Sequence, residues 1–302
     1  MVPDDTVIVD PAEYEITGSA WALNAPAEQT VPLVFASPHS GAEYPASFIA
    51  ASRLDALALR RSEDAFVDDI FAVATEFGAP LLKATFPRAY VDPNREPFEL
   101  DATMFDTPLP SYVNTMSPRV AAGLGTLAKV VTSGEEIYRG KLHFDAVRRR
   151  IDRLYYPDHA ALQRLLERTR ETFGVCLLID CHSMPSIGGP MDSDPGLKRF
   201  DAVLGDRFGT SCAAVVTETA ERVLRGLGYS VGRNIPYAGG YCTDHYGKPR
   251  TGMHALQIEI NRALYMDEEN VAPAAGLAEV KIRIRELIQA LAGLDAYALR
   301  AA

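Results

Sequence analysis

His39 and His182 are the residues whose types and placement first suggest chemistry. His39 follows the apolar run 31–37 (VPLVFAS) in the string Pro38-His39-Ser40-Gly41, and His182 follows the run 175–179 (VCLLI) in Asp180-Cys181-His182-Ser183. A ring held just past a buried strand has a rigid backbone behind it and can point into a cleft. Neutral imidazole is a strong ligand for Zn²⁺, and a catalytic zinc takes three protein ligands, often two histidines and a carboxylate, with one position left open. Asp64 in Ser62-Glu63-Asp64 is the carboxylate chosen to complete the set, with Glu63 its rival. Asp180 lies two residues before His182, so both point the same way along an extended chain, and Asp180 could ligate the metal or orient a ring. Either histidine alone is more often a satisfied structural residue than a ligand.

Further groups add to this set. In 256–262 (LQIEINR) apolar and polar residues alternate, which puts Gln257 and Glu259 on one strand face. A carboxylate on a core strand is costly unless it is paired or working. Glu259 is therefore read as a general base that takes a proton from water and returns it to a leaving amine, or as half of a buried ion pair. Arg88 and Arg95 bracket a segment expected to be strand and then turn, ending in Asp92-Pro93-Asn94-Arg95. Guanidinium grips carboxylates in bidentate fashion and can donate to a developing oxyanion, although surface salt bridging is the ordinary fate of an arginine. The turn 236–241 (PYAGGY) is no phosphate loop. It suits a mobile loop bringing Gly240, Tyr241 and the nearby His245 or His254 over a substrate, or a plain tight turn.

Behind these residues the pattern alternates strand and helix. Strands are expected at 31–37, 80–85, 89–91, 175–179, 200–204, 213–216 and 255–260, and helical stretches at 51–77, 144–173 and 266–291. That alternation implies an α/β fold, a mixed and mostly parallel sheet covered by helices on both faces, forming one domain over 1–302 with 1–30 as an N-terminal extension. In such sheets ligands bind beyond the carboxyl ends of the strands, where these polar residues fall.

The bulk numbers set limits. A chain of 302 residues, 47% hydrophobic, can bury a large core, and a formal net charge of -10 argues against nucleic acid and anionic membrane surfaces as partners. It leaves room for an acidic small molecule, since a few buried arginines can set the field of a cleft. No apolar stretch approaches the roughly 20 residues that span a bilayer, and the start lacks the marks of a signal peptide. The four cysteines form no CxxC pair and are expected as reduced thiols of a cytoplasmic protein.

Taken in order, several strings resemble the N-formylglutamate amidohydrolase family. They are Ser37-Pro38-His39-Ser40-Gly41, Glu63-Asp64 with Val67-Asp68, Asp92-Pro93-Asn94-Arg95, Asp180-Cys181-His182-Ser183, Gly239-Gly240-Tyr241, His245-Tyr246-Gly247 and Gln257-Ile258-Glu259, spread over about residues 30 to 270. That family looks related to zinc carboxypeptidases and aspartoacylases, with a phosphorylase/hydrolase-like fold. The resemblance implies one Zn²⁺ per chain on His39, Asp64 and His182, Arg88 polarising the scissile carbonyl, Asn94 and Arg95 holding a substrate carboxylate, and Glu259 as base. One departure stands out. Carboxypeptidases carry a Glu three residues after the first ligand His, where this chain has Ala42, with Glu43 one residue further on.

The activity so implied is hydrolysis of an N-acyl acidic amino acid, N-formyl-L-glutamate foremost, as by the family member acting in histidine degradation. A carboxypeptidase-like peptidase or a deacylase for another N-acyl amino acid is the alternative within the clan. A non-catalytic binding protein for an acidic amino-acid derivative is the alternative from another class, and its mark would be a missing ligand or base. A monomer or small homo-oligomer would suffice for either.

Overall fold

A computed structural model describes residues 18–190 and 192–300. Of the expected N-terminal extension, residues 1–17 lie outside the described residues.

Seven strands form one sheet: β1 (Trp21–Asn24), β2 (Leu33–Ser37), β3 (Leu81–Ala84), β4 (Cys176–Met184), β5 (Ala202–Gly205), β6 (Val231–Arg233) and β7 (Met253–Asn261), in the order β1-β3-β2-β4-β7-β5-β6. The pairs β3/β2, β2/β4, β4/β7 and β5/β6 are parallel, while β1/β3 and β7/β5 are antiparallel. The sheet is thus mixed and mostly parallel, as the alternation of elements implied.

Its two faces bury different side chains. Leu177, Ile179, Leu256, Ile258 and Ile260 point to one face and pack with Val216, Ala220, Leu224, Ile284 and Leu287 of the helices Ala214–Gly226 and Leu277–Ala292. The other face carries Val34, Ala36, Cys176, Leu178 and Ala255, covered by Leu162 and Leu166 of the helix Tyr156–Phe173 and by Cys242 and Tyr246 of the short helix Tyr241–Tyr246. Towards the carboxyl ends of β4 and β7 that second face turns polar, with Asp180, His182, Gln257 and Glu259 all buried. Many residues between Phe48 and Tyr155 build a second core beside the sheet, around Phe48, Phe86, Tyr90, Leu100, Ile137 and Ile151. No helix of the described residues is long and apolar enough to cross a membrane.

Several expectations about elements need correction. Residues 51–77 do not form one helix: short helices Ala46–Ala51, Ala56–Arg60 and Val67–Phe71 run on into the 3-10 turn Ala72–Phe77. Phe66, at φ 67°, breaks the path in the left-handed region, so Glu63 and Asp64 sit in a loop. Residues 89–91 form a turn rather than a strand, because the amides of Tyr90 and Val91 both donate to the Pro87 carbonyl. Residues 213–216 open a helix whose buried positions Val216, Ala220 and Leu224 recur every four residues. Helix in 266–291 begins only at Leu277, after the two-residue strands Met266–Asp267 and Ala272–Pro273. Lastly, Asp180 and His182 lie within β4, which extends five residues past Ile179. The stretch 144–173 does run as one continuous helical rod, with a π segment at Ile151–Tyr155, and it ends at Gly174, φ 75°.

Candidate active site

Four neighbouring parallel strands deliver the polar residues to one rim. His39 lies two residues beyond β2, the turn carrying Arg88 to Arg95 follows β3, His182 lies on β4 and Glu259 on β7. In the β4/β7 register Asp180 faces Gln257 and His182 faces Glu259, so these four side chains share a face. Asp64 arrives by a backbone hydrogen bond, its amide donating to the His39 carbonyl at 3.0 Å. Its neighbour Glu63 is turned away and gripped by Arg60 at 3.0–3.2 Å. Asp64, not Glu63, is therefore the carboxylate that meets the histidines.

The geometry at the centre is specific. Asp64 Oδ2 lies 3.3 Å from His39 Nδ1 and 3.0 Å from His182 Nδ1, and the two Nδ1 atoms are 3.1 Å apart. The far side of each ring abuts a carboxylate, His39 Nε2 at 2.7 Å from Asp92 Oδ1 and His182 Nε2 at 2.8 Å from Asp180 Oδ1. A carboxylate only accepts, so a ring that donates Nε2–H to its outer carboxylate turns its Nδ1 lone pair inward. Without a metal, Nδ1 protons donate to Asp64 Oδ2; with the rings deprotonated there, two lone pairs and a carboxylate oxygen converge on one point that a cation can fill. Bonds of about 2.0–2.1 Å around a tetrahedral ion put ligand atoms about 3.3 Å apart, close to the separations found here. The residues present therefore fit a metal ion, and they include the expected ligands His39, Asp64 and His182.

The surroundings hold that trio in place. Burial opposes ionisation of Asp64, but hydrogen bonds from His182 and His39 and the Arg88 charge outweigh it and keep its carboxyl well below the usual range. Arg262, to which the sequence reading gave no role, donates to Asp64 Oδ1 at 2.9 Å and to the Arg61 carbonyl. Asp92, in the turn after β3, receives His39, the Asn94 amide and Arg88 at 2.7–2.8 Å. Asp180 also accepts the Thr243 hydroxyl at 2.9 Å.

Beside the trio opens a cleft of about 390 Å³, lined among others by Arg88, Asn94, Arg95, Gly240 and Glu259. Burial pushes Glu259 up to about 7, with the Asp64 charge acting the same way against His182, Arg88 and Arg262. A carboxylate so poised can exchange a proton near neutral pH. Gln257 Nε2 donates to Glu259 Oε1 at 2.9 Å, and the Gly240 amide donates to Gln257 Oε1 at 2.7 Å.

The other expected substrate groups divide. Asn94 Oδ1 accepts the Cys242 amide at 2.8 Å, and a Cβ on Gly240 would lie 2.3 Å from Asn94 Nδ2, so this close approach requires glycine. Arg95 spends Nε on the Leu124 carbonyl and Nη1 on its neighbour Asn94's carbonyl. Tyr241 and His245 stack on each other on their short helix and are not among the cleft-lining residues. His254 is buried elsewhere, accepting the Ala213 amide and donating to the Leu299 carbonyl. His159, which the sequence reading passed over, is structural in the same sense. It donates to the Pro93 carbonyl at 2.8 Å and contacts the Tyr246 hydroxyl at 2.7 Å, and with the Tyr155 hydroxyl on the Arg95 carbonyl it braces the turn that carries Asn94.

Residues 31–266 match the N-formylglutamate amidohydrolase family. The chain belongs to that family. Among relatives of N-formylglutamate amidohydrolases, the N-formylglutamate deformylase of Pseudomonas aeruginosa is 32% identical over 266 residues, covering 86% of this chain and 92% of that protein. The Pseudomonas putida deformylase is 29% identical over the same shares. The crystal structure of an N-formylglutamate amidohydrolase from Ralstonia eutropha superposes with a TM-score of 0.84 at 35% identity, over 94% of this chain and all of that one. An Agrobacterium tumefaciens protein at 18% identity and TM-score 0.61, covering 91% of this chain and 95% of its own, shares the fold. As a member of the N-formylglutamate amidohydrolase family the chain is an enzyme, a hydrolase acting on an amide.

Proposed function

We propose that this chain hydrolyses N-formyl-L-glutamate to formate and L-glutamate, with one Zn²⁺ held by His39, Asp64 and His182. The observation that carries the reading is the convergence of two Nδ1 atoms and Asp64 Oδ2 within 3.3 Å, beside Glu259 and a cleft lined by arginines. The names of the relatives support the substrate. The order of ligand and base along the chain supports kinship with zinc carboxypeptidases.

Zinc bound there supplies Lewis-acid activation of water and of the scissile carbonyl. The chain's own residues do the rest. Arg95, with Asn94 beside it, holds a substrate carboxylate and so sets the formamide over the trio. Glu259 takes the proton of the attacking water as the oxygen–carbon bond forms. Arg88, held by Asp92 at 2.8 Å, donates to the oxyanion that develops on the formyl oxygen. Glu259 then hands its proton to the leaving nitrogen as the carbon–nitrogen bond breaks, which releases formate and the free amine. The four cysteines are free and buried, which suits the reducing cytoplasm in which we place the enzyme.

The experiment is release of L-glutamate from N-formyl-L-glutamate by the wild type and by Glu259→Gln, with zinc content measured on both. Turnover lost with zinc retained is the expected result. Activity retained in the variant, or a wild type that holds no metal and gains nothing from added Zn²⁺, would sink it. A parallel panel of N-acetyl amino acids and dipeptides separates deformylation from its clan alternatives.

A further inference from the structure

Five arginines line the cleft, and four of them have an acidic partner. Arg88 meets Asp92 at 2.8 Å, Arg95 meets Asp92 at 3.8 Å, Arg207 meets Asp244 at 2.9 Å and Arg262 meets Asp64 at 2.9 Å. Arg119 is the fifth. Among the described residues its guanidinium has neither a hydrogen bond nor an ion pair. It is placed by the short helix Pro118–Ala121, started by the Ser117 side chain, and by a backbone link. The Leu124 amide donates to the Arg119 carbonyl at 2.8 Å, while the Leu124 carbonyl receives Arg95 Nε at 2.9 Å.

That link ties both arginines to Leu124, and both line the cleft, near enough for the charge of Arg119 to act on Arg95. The cost registers on Arg95. Burial brings it down to about 10, with Asp92 opposing the fall and the Arg119 and Arg88 charges adding to it. Like charges facing a partly enclosed cleft repel unless an anion bridges them. The hydrogen-bond inventory points the same way, since Arg95 has given Nε and Nη1 to carbonyls and keeps Nη2 for a ligand.

We propose that Arg119 is a specificity-determining residue that, with Arg95 beside it, binds the side-chain carboxylate of a dicarboxylate substrate, an N-formyl acidic amino acid. The inference rests on the formamide-hydrolase reading above. Glutamine has nearly the shape of glutamate without the charge, so Arg119 sets the preference between the two.

The test has a binding arm and a kinetic arm. L-Glutamate and L-glutamine are titrated calorimetrically into the zinc-loaded wild type, Arg119→Gln and Arg119→Lys. kcat/KM is measured on their N-formyl derivatives. The wild type is expected to favour the dicarboxylate. The Arg119→Gln variant is expected to lose about 10- to 100-fold of that preference through Kd and KM, the scale of one charged hydrogen-bonded contact. Arg119→Lys, which keeps the charge, retains most of it. A wild type without preference, or an Arg119→Gln variant that weakens both ligands equally, overturns the proposal, and so does a variant that keeps the wild-type ratio. Arg119-dependent glutamate binding without deformylation would leave this assignment standing and remove the proposed reaction. Deformylation with a ratio indifferent to Arg119 would do the reverse.

Discussion

Gln257 holds Glu259 from two residues away on the same strand face, with 2.9 Å between Nε2 and Oε1. The orientation of the Gln257 amide is settled by a third group. The Gly240 amide can only donate, so the atom 2.7 Å from it must be the Gln257 oxygen, and the nitrogen therefore faces Glu259. A backbone amide of the glycine turn thus sets the direction of the candidate base through one side chain.

Replacing Gln257 by Leu keeps the bulk and removes both hydrogen bonds. We expect kcat to fall about 10- to 100-fold with KM little changed, the usual cost of losing a group that orients a reacting one. Steady-state kinetics on N-formyl-L-glutamate measure it. A rise in KM at constant kcat would show that Gln257 serves the substrate instead.

Asp92 fixes the His39 ring from behind, at 2.7 Å. In Asp92→Asn one oxygen still accepts but the charge is gone. Zinc affinity should drop about 10- to 100-fold, as read by competition with a chromogenic chelator. Unchanged affinity would mean that the protein around His39 holds the ring without the carboxylate.

A methyl group added at Gly240 would sit 2.3 Å from Asn94 Nδ2, and Asn94 cannot retreat without releasing the Cys242 amide. Gly240→Ala should cost about 1–3 kcal/mol in urea denaturation, as for an overpacked core position, and should depress turnover as well. A variant with wild-type stability and rate would show that the Asn94 turn is free to move.

Asp158 is buried with Oδ1 unpartnered, and burial pushes its carboxyl up to about 7. In the unfolded chain the same group titrates near 4. The native state thus binds the proton more tightly. The stability linked to Asp158 is fully present below about pH 4 and is lost as pH rises through 7, up to about 4 kcal/mol. Asp158→Asn removes this dependence. Urea midpoints should therefore diverge in favour of the variant between about pH 4 and 7, and parallel curves across that window would count against a buried, lone carboxylate.

Adding metal to metal-free protein should raise Tm in proportion to the logarithm of free Zn²⁺ above its Kd, because only the folded chain brings the three ligands together. His39→Ala should lose most of that rise. An equal rise in the variant would place the binding elsewhere.

Much of this was legible in the chain itself. The apolar runs before His39 and His182 and the alternation around Glu259 record how strands bury side chains, and that local periodicity requires no distant partner. It located β2, β4 and β7, and with them His39, His182, Gln257 and Glu259 at one rim. What local pattern does not carry is the choice between neighbours. Whether Glu63 or Asp64 faces the histidines depends on Phe66 in the left-handed region and on a hydrogen bond from the Asp64 amide to the His39 carbonyl, 25 residues back. Arg119 and Arg262 carry no sequence signal apart from being arginines. The first is brought to the cleft by Leu124, and the second reaches Asp64 from 198 residues away. Periodicity reports which face of an element is buried. Only the packed tertiary structure decides which of several identical charges finds a partner and which is left facing the cleft.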